Sequence, residues 1–151
     1  MFDKILLVLD GGRGWADAAE FAVEMARDVK AELIAAAVVD TDTLSHLLAR
    51  RIFVEDERAS YEEQLDADAG RYLNHTQKLA DKAGVALEKT VLKGAIHKVA
   101  LQEARAQKVD AIVMASWRRS MLKRDLIPHE RQIILDEAEC TVIVVRTKAE
   151  T

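Results

Sequence analysis

Five short apolar runs recur along the chain, at residues 5–9, 33–39, 87–92, Ala111–Ala115 and Thr141–Val145. The first is continuous, which is how a strand buried on both faces reads. Residues 87–92 alternate imperfectly and read as a strand ended by Gly94. Helical spacing fills the intervals. From Trp15, apolar positions recur at Ala18, Phe21, Ala22, Met25, Ala26 and Val29, with Asp17, Glu20, Glu24 and Arg27 between them. Tyr61, Leu65, Ala69, Tyr72, Thr76, Leu79 and Ala83 step by threes and fours, predicting one long helix over Glu55–Ala83 with Gly84 as its stop. Further helices are expected over 95–107, with Ile96, Val99, Ala100 and Ala104 inward, and over 131–139. Residues 43–53 read as a short helix or an ordered loop.

The resulting order, β-α-β-α-β-α-β-α-β, predicts an α/β fold. It is an open, twisted, Rossmann-like sheet of five parallel strands with helices on both faces. One domain is expected over residues 1–146, followed by a polar tail over 147–151. In such sheets a ligand lies beyond the carboxyl ends of the strands. The stretch 110–145 therefore draws attention, because its loop follows the strand ending at Ala115.

Composition narrows the function. The chain has 151 residues, half of them apolar, and a net charge of −4. That balance gives no reason to expect nucleic acid or an anionic membrane surface as a partner. A single cysteine, Cys140, excludes an internal disulfide and a cysteine zinc site. The opening MFDKILLVLDGG does not read as a signal peptide, and no run reaches the ~20 apolar residues of a membrane span. The cytoplasm is the expected compartment. The four histidines (His46, His75, His97, His129) have no metal-ligand spacing, although His97 and His129 both fall near helix starts and could meet. Ser116 lacks the context of a nucleophile elbow.

Three segments, KILLVLDGG at 4–12, LKGAIHKVALQEARAQKVDAIVMAS at 92–116 and ILDEAECTVIVVR at 134–146, together resemble the universal stress protein family. The resemblance covers nearly the whole chain. It implies a five-stranded parallel sheet, a homodimer formed through the last strand, and no enzymatic activity beyond, at most, weak nucleotide hydrolysis.

Many members of that family hold ATP with a glycine motif after the fourth strand. The motif runs glycine, two residues, glycine, nine residues, glycine, then serine or threonine. Glycines let backbone N–H groups reach phosphate oxygens, and a helix start adds its dipole. Aligned on Ala115 and Cys140, the motif positions fall on Ala115, Arg118, Pro128 and His129. Arg118 places a side chain where bare backbone is wanted, and Pro128 removes a donor. The resemblance also points to Asp10, matching an aspartate that contacts nucleotide in ATP-binding members, and to Val39, near where adenine is held. Asp10 has a second reading as a turn residue of the glycine loop, and Val39 as core.

The loop Asp10-Gly11-Gly12-Arg13-Gly14 fails the dinucleotide spacing, since Asp17 stands where a third glycine would be required. The densest basic cluster is Arg118, Arg119, Lys123 and Arg124. It reads either as a solvated loop or as a site for a small phosphorylated ligand or an acidic protein partner. Trp117 and Met121 in that loop could fold over the sheet or fill the ligand space. The sequence thus predicts a dimeric stress or signalling protein with no cofactor. The alternative is an adenine-nucleotide sensor that binds ATP or AMP through Asp10 and the basic loop.

Overall fold

The computed structural model describes residues 1–50, 55–118 and 126–147. Its elements follow in the order β1 (Lys4–Leu9), α1 (Trp15–Val29), β2 (Glu32–Val39), α2 (Thr41–Ala49), α3 (Glu55–Ala83), β3 (Leu87–Lys93), α4 (Ile96–Gln107), β4 (Ala111–Ala115), α5 (Ile127–Glu137) and β5 (Thr141–Val145). All five strands are parallel and lie in the order β3-β2-β1-β4-β5.

Strand alternation divides the core in two. Ile5, Leu7, Leu9, Leu33, Ala35, Ala37 and Val39 face α1 and α3. Leu6, Val8, Ile34, Ala36, Val38, Ile112 and Met114 face α4 and α5. Helices therefore cover both faces, and the central strands β1, β2 and β4 are almost wholly apolar because neither side meets water.

Three local expectations change. On α1 the buried stripe is Ala18, Ala19, Ala22, Val23 and Ala26, while Phe21 and Val29 remain 40% and 42% exposed. The alanine-rich side lets the helix approach the sheet closely, and the bulkier Phe21 is turned to the flank. On α3, Leu73 and Ala80 join Ala69 and Thr76 inside, whereas Tyr61 is exposed. Helix α5 begins at Ile127, not 131, because Pro128 is tolerated in a first turn, where its missing N–H is not needed. The ambiguous 43–53 segment overlaps α2, which starts earlier, at Thr41, capped by Asp40, whose carboxylate accepts from Thr43 N at 3.0 Å and Thr43 Oγ1 at 2.7 Å. Its end at 51–53 lies outside the described residues. Helix α3 stops at Gly84, which has φ +70°, and Val85 N donates back to Ala80 O at 2.9 Å.

Candidate functional site

The strand order reverses between β1 and β4. The chain proceeds from β1 outward to β2 and β3, then crosses back to β4 on the other side. A crevice opens at such a point beyond the carboxyl ends, here between Asp10 and Ser116.

The crevice is filled by a side chain of the protein itself. Arg131, on α5, donates from Nε to Asp10 Oδ2 and from Nη2 to Asp10 Oδ1, both at 2.8 Å. Nη1 donates to Ser116 O at 2.7 Å and to Arg13 O at 3.3 Å, and Nη2 also reaches Arg13 O at 3.3 Å. A guanidinium has five N–H groups, and every one is used. The two charged side chains are 3% and 2% exposed. Gly12 is required beneath the guanidinium, since a Cβ there would lie 2.6 Å from Arg131 Nη2.

Ser116 extends this cluster to the edge of the sheet. Its N–H donates to Val145 O at 2.7 Å, and its Oγ accepts from Thr147 N at 3.2 Å.

Beside the pair lies a cleft of about 230 Å³, whose walls include Asp10, Asp40, Asp68, Tyr72, Ile96 and Ile127. Burial chiefly, and then the Asp68 carboxylate, push the Tyr72 phenol above its usual pKa, so it stays a donor. Trp15 packs on Tyr72 with ring centroids 4.4 Å apart and on His75 at 5.1 Å. A separate groove of about 300 Å³, lined by Leu101, Arg105, Lys108 and Cys140, lies at the amino ends of β4 and β5, away from the switch point.

The sequence candidates are distributed as follows. Asp10 stands in the crevice, where it also accepts from Gly12 N at 3.0 Å, so it both turns the glycine loop and pairs with Arg131. Val39 is fully buried in the α1–α3 core, and it is Val38 and Asp40 that reach the cleft. Ala115 is buried at the end of β4. Arg118 and His129 are exposed. Arg119, Met121, Lys123 and Arg124 lie outside the described residues. Trp117 packs against the α4–α5 core. His97 is paired with Glu130, whose Oε2 lies 2.6 Å from His97 Nδ1 and accepts from His97 N at 2.7 Å. Sequence reasoning does not single out Arg131; its place between Ile127 and Ile134, on the apolar side of the helix, is the signal that marks it.

Among the described residues no group of three or more His, Cys, Asp or Glu side chains could hold a metal ion. Nor is any helix among them long and apolar enough to cross a membrane.

The fold defines an open α/β domain of the doubly wound type, with its crevice at the β1–β4 switch point. The sequence model described as the universal stress protein family matches residues 1–146, and the chain belongs to that family. It is similar to the universal stress protein MJ0531 of Methanocaldococcus jannaschii, 27% identical over 146 residues that cover 97% of this chain and 83% of the relative. A universal stress protein solved in complex with cAMP superposes with a TM-score of 0.70 at 18% identity, covering 97% of this chain and 98% of the other. A universal stress protein from Archaeoglobus fulgidus in complex with dAMP gives 0.63 at 14% identity, covering 96% and 98%.

Proposed function

We propose that this universal stress protein acts as a non-enzymatic dimer in a cytoplasmic stress or signalling response, without holding ATP in the usual way. The observation that supports this reading is the occupant of the crevice. Arg131 has spent all five donors on Asp10, Arg13 and Ser116, so none remains for a polyphosphate. The residues aligned with the glycine motif agree, since Pro128 lacks an N–H in the first turn of α5.

The dimer reading rests on β5. Among the described residues it pairs only with β4, and Val144 is 38% exposed on it. An unpaired apolar edge is an aggregation hazard, which antiparallel pairing with β5 of a second copy removes. Light scattering after gel filtration is expected to give twice the 16.8 kDa chain mass, and Val144→Lys to shift it toward one.

A second reading is an adenine-nucleotide sensor, supported by the relatives solved with cAMP and dAMP and by the cleft beside Asp10. Calorimetry with ATP, ADP, AMP and cAMP, with and without Mg²⁺, separates the two. The first reading expects no heat of binding. The second expects binding that weakens when Arg118 and Arg119 are replaced by alanine. In either case the basic composition of segment 118–124 suits an acidic protein partner.

A further inference from the structure

The groups that converge on Arg131 are all acceptors. They are the Asp10 carboxylate at the end of β1, the Arg13 carbonyl in the glycine loop and the Ser116 carbonyl at the exit of β4. The Gly12 N–H, which a phosphate cradle would turn toward its anion, is directed to Asp10 Oδ1. A cradle for phosphate presents N–H groups. This crevice presents four oxygens, two of them in a carboxylate that is 2% exposed.

We propose that the crevice is a cation receptor matched to a planar guanidinium or amidinium group, and that Arg131 is its tethered ligand. The fork of Nε and Nη2 meets both Asp10 oxygens, a geometry that a guanidinium satisfies and an ammonium does not. The two carbonyls take the remaining hydrogens. Arg131 is therefore more than a plug over a phosphate site. Removing it exposes a carboxylate and carbonyls, which repel phosphate and attract a free guanidinium. This goes beyond the absence of conventional ATP binding, since it assigns the crevice a ligand class of opposite charge.

The test is chemical rescue. Arg131→Ala is expected to melt below the native protein. Guanidinium chloride at about 10 mM, well below denaturing levels, is expected to restore a measurable part of the lost melting temperature, the gain rising with the logarithm of its concentration. Equal urea, a neutral molecule of the same planar shape, and equal sodium chloride are expected to restore none of it. Adding Asp10→Asn is expected to abolish the rescue. The proposal is overturned if guanidinium does no more than urea, or if pyrophosphate or ATP stabilises Arg131→Ala more than guanidinium does. Where Arg131→Ala does not fold, Arg131→Lys and Arg131→Gln decide. A receptor matched to a planar cation requires the lysine variant to have a urea midpoint above that of glutamine and below that of native arginine, and an equal or higher midpoint for glutamine, or a lysine midpoint equal to the native one, overturns it.

Discussion

Asp10 and Arg131, 121 positions apart in the chain, form a two-pronged ion pair with both contacts at 2.8 Å and both side chains almost fully buried. Breaking such a pair from one side strands a buried charge, at a cost of about 3–5 kcal/mol. Asp10→Ala and Arg131→Ala are each expected to lose that much in urea denaturation. The double variant is expected to lose well under the sum, because the second replacement removes the stranded partner.

Two glycines give opposite expectations. At Gly12 a Cβ would lie 2.6 Å from Arg131 Nη2 and 2.8 Å from Ile127 Cγ2. Gly12→Ala is therefore expected to destabilise by about 1–3 kcal/mol through overpacking. Gly70 lies inside α3 with nothing within 4 Å of the added carbon. Gly70→Ala is expected to stabilise by about 0.5–1 kcal/mol through helix propensity. Thermal melts of the two variants read both signs.

Glu130 serves α4 as a cap supplied from another helix. The N-cap residue Ala95 has no side chain to offer, and the Glu130 carboxylate accepts from His97 N at 2.7 Å in the first turn. Glu130→Ala is expected to cost about 1–2 kcal/mol in chemical denaturation, in the range of a lost cap. His97→Ala is expected to cost less, since the main-chain bond survives it.

Asp110 ties the start of β1 to that of β4. Its Oδ2 accepts from Lys4 N at 2.9 Å and Asp3 N at 2.8 Å, and these bonds hold its pKa below the usual carboxylate value. A lowered folded pKa means that the native state binds its proton less readily than the unfolded chain. Its stabilising contribution is then complete above the ordinary aspartate pKa and is lost as the pH falls through the lower, folded value. In a series of melts on the acid side, Asp110→Asn is expected to show a flatter fall in stability than the native protein.

Burial is the main reason that the Cys140 thiol is pushed above its usual pKa. Only the thiolate attacks alkylating agents. Iodoacetamide at neutral pH is expected to modify Cys140 more slowly than a free cysteine, with the rate rising at more alkaline pH. A rate equal to that of free cysteine contradicts the burial argument.

The strands were legible because each is a compact apolar run, and the helices because their periodicity extends over several turns. Boundaries shifted where capping chemistry competes with periodicity, as at Pro128, which opens α5 a turn before the apolar pattern is obvious. The apolar periodicity of α1 includes Phe21 and Val29, which the fold leaves partly exposed. Periodicity marks a stripe, but close approach to the sheet selects the alanines within it. Of the two readings of Val39, near adenine or core, the structure shows core, because alternation directs it inward and leaves Val38 and Asp40 at the cleft.

Asp10 stands out in the sequence through the family resemblance and through its place at a strand end before glycines, where it also turns the loop. Its partner does not stand out. A charged residue within a helical pattern reads as solvent-facing, and no local rule links position 131 to position 10. The sequence by itself determined the element order, the family and the acidic residue that closes β1. The tertiary structure decided what faces that residue, because only the strand order β3-β2-β1-β4-β5 brings the carboxyl ends of β1 and β4 side by side and lays α5 across them. With its carboxylate there away from water, Asp10 requires a counter-ion, and Arg131 is the side chain that the topology delivers.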